Sequence, residues 1–136
     1  MNLESIMNTK PISVTQDDSM NAAIRVMKEK GFKHLPVLDK AEKVVGVVTD
    51  RDLKRASPSD ATLLEIHELL YLLEKVKVSQ VMTKKPITAT PETSVQDAAG
   101  LMVRHKAGCL PIIKAGKLVG IVTQTDMLKC LSKIAA

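Results

Sequence analysis

The sequence predicts an α/β (α+β) fold: two copies of a β-α-β-β-α unit, packed through their sheets with pseudo-two-fold symmetry and joined by a helical connector. Two observations carry this. First, the 136-residue chain repeats itself at a constant offset of 75. Met7, Lys10-Pro11-Ile12, Thr15, Ser19, Ala23, Met27 and Leu35-Pro36 return as Met82, Lys85-Pro86-Ile87, Thr90, Ser94, Ala98, Met102 and Leu110-Pro111. One deletion then shifts the offset to 74, and Lys43, Val45-Gly46, Val48-Thr49 and Asp52 match Lys117, Val119-Gly120, Val122-Thr123 and Asp126. Matches in order with one small gap are a repeat. Second, each copy switches from helical to strand-like hydrophobic spacing at equivalent places. A single copy hides too little of its surface to stand alone, so the two must pack together.

The elements of the first copy read in order. Pro11 to Thr15 is a short extended segment. Asp17, Asp18 and Ser19 offer N-cap chemistry. Met20, Ala23, Ile24 and Met27 fall at i, i+3, i+4 and i+7, one face of a helix, and Gly31 stops it. Leu35 to Leu38 is a strand that Pro36 can open. Asp39 to Lys43 turns. Val44 to Val48 is apolar throughout and predicts a strand buried on both faces. A second helix starts after Thr49. The second copy repeats this with Ser94 as cap, Val95, Ala98, Ala99 and Met102 on the helix face, strands at Leu110 to Ile113 and Leu118 to Val122, and a helix from about Thr123. The boundaries are 1–56 for the first repeat, 57–77 for the connector and 78–136 for the second repeat. In the connector, Ser57-Pro58-Ser59-Asp60 supplies a cap, a first-turn Pro and an acid. Leu63, Leu64, Ile66, Leu69, Leu70, Leu72, Leu73 and Val76 then cover more than one stripe. Such a helix needs cover on both sides, between the repeats or against a second chain.

Composition narrows the function. Phe32 and Tyr71 are the sole aromatics, too few for a platform that stacks single-stranded bases. The charge is +5, from 20 Lys and Arg against 15 Asp and Glu, with the basic residues scattered in short clusters, which reads as a solvated surface rather than a nucleic-acid footprint. No apolar run reaches the length of a membrane span, and the first 20 residues lack the apolar core of a signal peptide. Cys109 and Cys130 form no framework and no CxxC, which predicts reduced, partly buried thiols in a cytoplasmic protein.

The chemistry-bearing motif is Gly-h-h-Thr-x-x-Asp (h apolar), present as Gly46-Val47-Val48-Thr49-Asp50-Arg51-Asp52 and Gly120-Ile121-Val122-Thr123-Gln124-Thr125-Asp126. Thr-x-x-Asp is also an ordinary helix start, with Thr as cap and an acid at the third position. Its recurrence after the same Gly-h-h favours a site, and both roles can belong to the same residues. With the Met-Thr/Asn-x-x-Pro openings at Met7 to Pro11 and Met82 to Pro86, the whole chain resembles a tandem pair of CBS domains, a Bateman module. Its connector, Ala56 to Thr62, is similar to that of the acetoin-utilization-type CBS-pair proteins, which often carry a further ACT domain for which this sequence has no residues.

The resemblance implies a regulatory sensor that binds adenosine-containing ligands (AMP, ADP, ATP, S-adenosylmethionine or NAD) in clefts between the repeats. It implies that Asp52 and Asp126 accept hydrogen bonds from ribose hydroxyls, that Thr49 and Thr123 contact phosphate or ribose, and that backbone near Ile12, Val37, Ile87 and Ile112 lines an adenine pocket. Lys33, His34 and Arg51 form a candidate phosphate cluster; the matching Gly108, Cys109 and Thr125 offer no charge, so the two sites are expected to differ. The physics agrees: a carboxylate can take both hydroxyls of a cis-diol. No cofactor is required, a homodimer meeting through helices is expected, and the regulated partner is a downstream enzyme or transporter that the sequence does not name. With no HExxH, P-loop, GxSxG or Cys/His metal spacing, no enzyme is expected. The competing readings are a ligand-free dimerisation module and a weak nucleic-acid binder.

Overall fold

The computed structural model describes residues 1–56 and 66–134. The helix-start chemistry at Ser57 to Asp60, with Leu63 and Leu64, lies outside the described residues. The chain divides into two compact units. Unit A is Ile12–Lys85; unit B joins Met1–Pro11 to Pro86–Ala136. This division differs from that of the sequence repeat, because the opening of each repeat is built into the other repeat's unit.

In unit A, β1 (Val14–Thr15) leads to α1 (Met20–Lys30), β2 (His34–Leu38), β3 (Val44–Thr49) and α2 (Asp50–Ala56), then α3 (Ile66–Lys75) and β4 (Thr83–Lys84). Helix α1 begins as its sequence demands: Ser19 accepts a hydrogen bond from the Ala22 N–H, and Gly31 closes it in the left-handed conformation at φ 72°. Asp18 does not cap the helix; its carboxylate accepts from the Thr15 N–H at 2.9 Å and closes the turn ahead of it. The sheet order is β1-β2-β3-β4, with β1 parallel to β2 and the other pairs antiparallel. Met20, Ala23 and Met27 pack on Leu35, Val37 and Val48, and Leu73 and Val78 complete the core. Helix α3 thus buries Leu73, while Tyr71 and Leu72 are exposed.

Unit B repeats the plan with α4 (Val95–His105), β5 (Cys109–Lys114), β6 (Lys117–Thr123) and α5 (Gln124–Ile134). Ser94 caps α4 through the Asp97 N–H. Its stop is not a glycine: Lys106 takes the left-handed position at φ 52°. Strands β5 and β6 pair antiparallel. Single bridges extend them on both sides, Ala89 parallel to Ile112 and Asn8 antiparallel to Ile121. They stand where β1 and β4 stand in unit A. The core joins Leu3, from a 3-10 turn at Leu3–Ser5, to Ala98, Met102, Leu110, Ile112 and Val122.

The strand glycines have a packing role. A Cβ on Gly46 would stand 2.5 Å from Met82 Sδ and 2.8 Å from the Thr83 carbonyl oxygen. A Cβ on Gly120 would stand 2.7 Å from Met7 Sδ and 3.0 Å from the Asn8 carbonyl oxygen. The close approach that a glycine inside a strand signals is made here by the Met-containing opening segments.

Candidate functional site

Each Thr-x-x-Asp motif forms a corner where a strand turns into a helix. In unit A, Thr49 ends β3 and lies opposite His34, the first residue of β2. The Asp50 N–H donates to the Lys33 carbonyl at 3.1 Å, which fastens the loop before β2 to the start of α2. The Thr49 N–H donates to Asp52 Oδ2 at 2.9 Å, and the Asp52 N–H donates to Thr49 Oγ1 at 3.2 Å. Lys33, His34, Thr49, Arg51 and Asp52 are therefore gathered at one end of one sheet. Thr49 and Asp52 are half-buried; Lys33 and Arg51 are exposed.

Unit B builds the same corner. Thr123 lies opposite Cys109, and the Gln124 N–H donates to the Gly108 carbonyl at 3.2 Å. The Thr123 N–H donates to Asp126 Oδ2 at 2.9 Å. Here the threonine hydroxyl lies 3.2 Å from the same Oδ2 and donates to it.

The helix-start role of the motif is thus realised in both units, and it leaves capacity over. Each cap uses Oδ2, and among the described residues Oδ1 of Asp52 and of Asp126 accepts nothing. An ionised carboxylate has about four acceptor positions, so each corner presents a fixed, partly exposed acceptor suited to hydroxyl donors. The side chains of Val37 and Ile112 are fully buried and belong to the cores, and Ile12 and Ile87 pack against them. Val37 sits three residues along β2 from the corner and pairs with Val14 and Gly46. Among the described residues no group of His, Cys, Asp and Glu has a metal-binding arrangement, and no helix is long and apolar enough to cross a membrane.

The electrostatics separate the corners. Burial holds the half-buried His34 imidazole below its ordinary value of 6.5; the Asp50 and Asp52 carboxylates oppose this and Lys33 adds to it. Asp50 stands at the same corner as His34, and motif reading alone passes over it, because unit B has Gln124 in its place. The equivalent of His34 is Cys109, a buried free thiol pushed up to about 12 by burial and so neutral at physiological pH. Cys130 is also free and buried.

The His34 shift has a consequence for stability. Its folded value lies below the unfolded one, so the unfolded chain binds the proton more readily between the two. The His34 contribution is complete above the unfolded value and is lost as pH falls through the folded one. The expected result is a melting midpoint that drops from pH 7.5 to pH 5 less steeply in His34→Gln than in the natural chain. Identical slopes in the two proteins would disprove the assignment.

The fold and its internal repeat are matched among known proteins. The CBS domain family profile matches residues 3–59 and 78–133. An uncharacterised protein of Methanocaldococcus jannaschii is 34% identical over 96% of this chain and 91% of its own length. A CBS domain-containing protein of Dictyostelium discoideum is 31% identical over 97% and 92%. The chain also matches inosine-5'-monophosphate dehydrogenases; it is 37% identical to that of Korarchaeum cryptofilum and spans 23% of that enzyme. Among crystal structures, a Vibrio cholerae protein named for acetoin utilization superimposes with a TM-score of 0.80 at 26% identity, over 99% of this chain and 93% of that one. The CBS-pair protein CBSX2 of Arabidopsis thaliana, solved with AMP, superimposes with a TM-score of 0.79 at 29% identity, over 99% and 98%. Two matched repeats, and relatives that match end to end, place this chain in the CBS domain family as a tandem CBS pair.

Proposed function

We propose that this chain is a regulatory sensor that binds an adenosine nucleotide (AMP, ADP or ATP) through its two Thr–Asp corners. The observation that carries this reading is the duplicated carboxylate, held in place by a backbone N–H yet keeping Oδ1 available. The cis-diol of a ribose offers two O–H donors to such a group. Lys33 and Arg51 bring cationic donors to the unit A corner, beside the His34 imidazole, and charge-assisted bonds to phosphate are strong. The bound AMP of CBSX2, a relative matched over nearly all of both chains, supports the ligand class. Backbone near Ile12, Val37, Ile87 and Ile112 is the proposed adenine wall. A ligand that binds only the folded chain stabilises it by about 2.7 kcal/mol at a hundred times its dissociation constant. A rise in melting temperature with at least one of AMP, ADP, ATP, S-adenosylmethionine and NAD at millimolar concentration is expected. No rise with any of them refutes the proposal.

The same reading includes a homodimer. Tyr71 and Leu72 on α3, and Leu128 and Leu131 on α5, leave large apolar side chains exposed; obligate interfaces are built from such surfaces. Sedimentation should give twice the 14.8 kDa chain mass, and a monomer mass at micromolar concentration would exclude it.

A further inference from the structure

In each unit a methionine pins a short edge segment against a strand glycine. Met82 Sδ lies so near Gly46 that a Cβ there would stand 2.5 Å from it, and Met7 Sδ lies so near Gly120 that the distance would be 2.7 Å. The arrangement occurs twice at equivalent places, since Met7 and Gly46 return as Met82 and Gly120. The methionine is the last strong apolar anchor before the edge. Met82 packs on the unit A core, and Thr83, Lys84 and Lys85 after it are exposed. Met7 packs on the unit B core, and Thr9 and Lys10 beyond it are exposed. What each anchor holds is slight. Strand β4 has two residues, paired with Gly46 and Val47, and Asn8 makes a single bridge to Ile121. Edges with so few contacts open at low cost.

Burial sorts the seven methionines by access to a small oxidant. Met20, Met27 and Met102 are buried in the cores, and Met1 is 72% exposed. Met7 and Met82 are partly buried. A peroxide oxidises a thioether by two electrons: its O–O bond breaks, one oxygen bonds to sulfur and the other leaves as water. The product is a polar sulfoxide. Each sulfur shares its place beside the glycine with a backbone carbonyl oxygen, that of Thr83 or of Asn8. A carbonyl accepts and does not donate, so it gives a sulfoxide oxygen no partner, and a polar group buried without one is costly. If the side chain turns out to water instead, the glycine loses its cover. Both courses end the contact. We propose that Met7 and Met82 are a pair of peroxide-sensitive latches, each releasing the edge it pins when its sulfur is oxidised. A dithiol resets the latch: it takes the oxygen away as water, becomes a disulfide and leaves the thioether. The latches are independent of the adenosine reading.

Hydrogen peroxide in graded amounts on the full chain is the test, with peptide mass spectrometry assigning the sulfoxides. Met7 and Met82 should oxidise after Met1 and before Met20, Met27 and Met102. Hydrogen exchange should then show loss of protection at Asn8 and Ile121, whose amides bond each other's carbonyls, and along the pairing of Thr83–Lys84 with Gly46–Val47. The melting midpoint should fall by about 4 °C or more. Methionine sulfoxide reductases of both stereospecificities, with dithiothreitol, should restore protection and midpoint together. Met7→Leu/Met82→Leu, a volume-conserving change, should keep its protection under the same peroxide. If that variant is itself loosened, recovery of the natural chain decides alone. Oxidation of Met7 and Met82 no faster than that of the three core methionines overturns the proposal. So does unchanged protection in a chain oxidised at both, or protection that stays lost after both sulfoxides are reduced.

Discussion

Gly46→Ala is expected to destabilise the chain by about 3 kcal/mol, the upper part of the range for overpacking a close-packed core. A methyl group there meets two obstacles of different kinds. Met82 Sδ, at 2.5 Å, belongs to a flexible side chain and can be moved. The Thr83 carbonyl, at 2.8 Å, is the backbone of β4 itself, paired with β3 at Gly46–Lys84 and Val47–Thr83. It can yield only if β4 leaves the sheet. The double variant Gly46→Ala/Met82→Ala should therefore recover part of the loss at most. Gly120→Ala should cost less, because its distances to Met7 Sδ and the Asn8 carbonyl are each 0.2 Å longer, 2.7 Å and 3.0 Å. Gly100 provides the contrast: it lies within α4, and a Cβ there meets nothing within 4 Å. Gly100→Ala should stabilise by about 0.5–1 kcal/mol through helix propensity alone. Thermal unfolding followed by circular dichroism measures all four, with a drop on the order of 10 °C expected for Gly46→Ala. An unchanged midpoint for Gly46→Ala would show that β4 is not held where the structure has it.

The same glycines mark the boundary of what the sequence made legible. Local chemistry was readable: Ser19 and Ser94 cap the helices that follow them, and Leu35-Pro36 and Leu110-Pro111 lie in strands that pair with the next apolar run, each strand starting one residue earlier than the apolar pattern does. The Thr–Asp corner was readable as both cap and candidate site because its four residues set their own geometry. What the repeat concealed was which copy each opening segment completes. Both openings carry Met, then a polar residue, then Lys-Pro, so either could serve either sheet as far as pattern goes. The edge elements that settle it are two residues long or a single bridge, too short to carry a period. A strand glycine in one copy and an unassigned Met in the other were the available signal. The sense of the two threonine hydroxyls was also out of reach, since Thr-Asp-Arg-Asp and Thr-Gln-Thr-Asp have the same cap spacing. Charge, by contrast, was visible from the outset: the unit A corner has Lys33, His34 and Arg51, and unit B has no equivalents.

Removal of Met1–Pro11 is expected to destabilise unit B more than unit A. Leu3 is completely buried in the core with Leu110, Ile112 and Val122, and Ile6 and Met7 pack against the same cluster. The segment is also held by its backbone. Leu3 N–H donates to Thr93 at 2.9 Å, Glu4 N–H to Pro91 at 3.1 Å, and Val95 N–H returns a bond to Met1 at 2.9 Å. Asn8 and Ile121 exchange two more, at 2.9 and 3.1 Å, along the open side of β6. Without the segment, that edge and the underside of the core face water, and a unit of this size has little stability in reserve. Leu3→Ala tests the apolar part alone and should cost about 2–5 kcal/mol, as other fully buried leucines do. Hydrogen exchange separates this account from general destabilisation. In the truncated chain, amides of Cys109–Lys114 and Lys117–Thr123 should lose more protection than those of His34–Leu38 and Val44–Thr49, whose edges are closed by Val14–Thr15 and Thr83–Lys84. The opposite pattern, with the first repeat's own strands exposed and Cys109–Thr123 protected, would mean that the opening segment folds with the repeat that follows it in sequence.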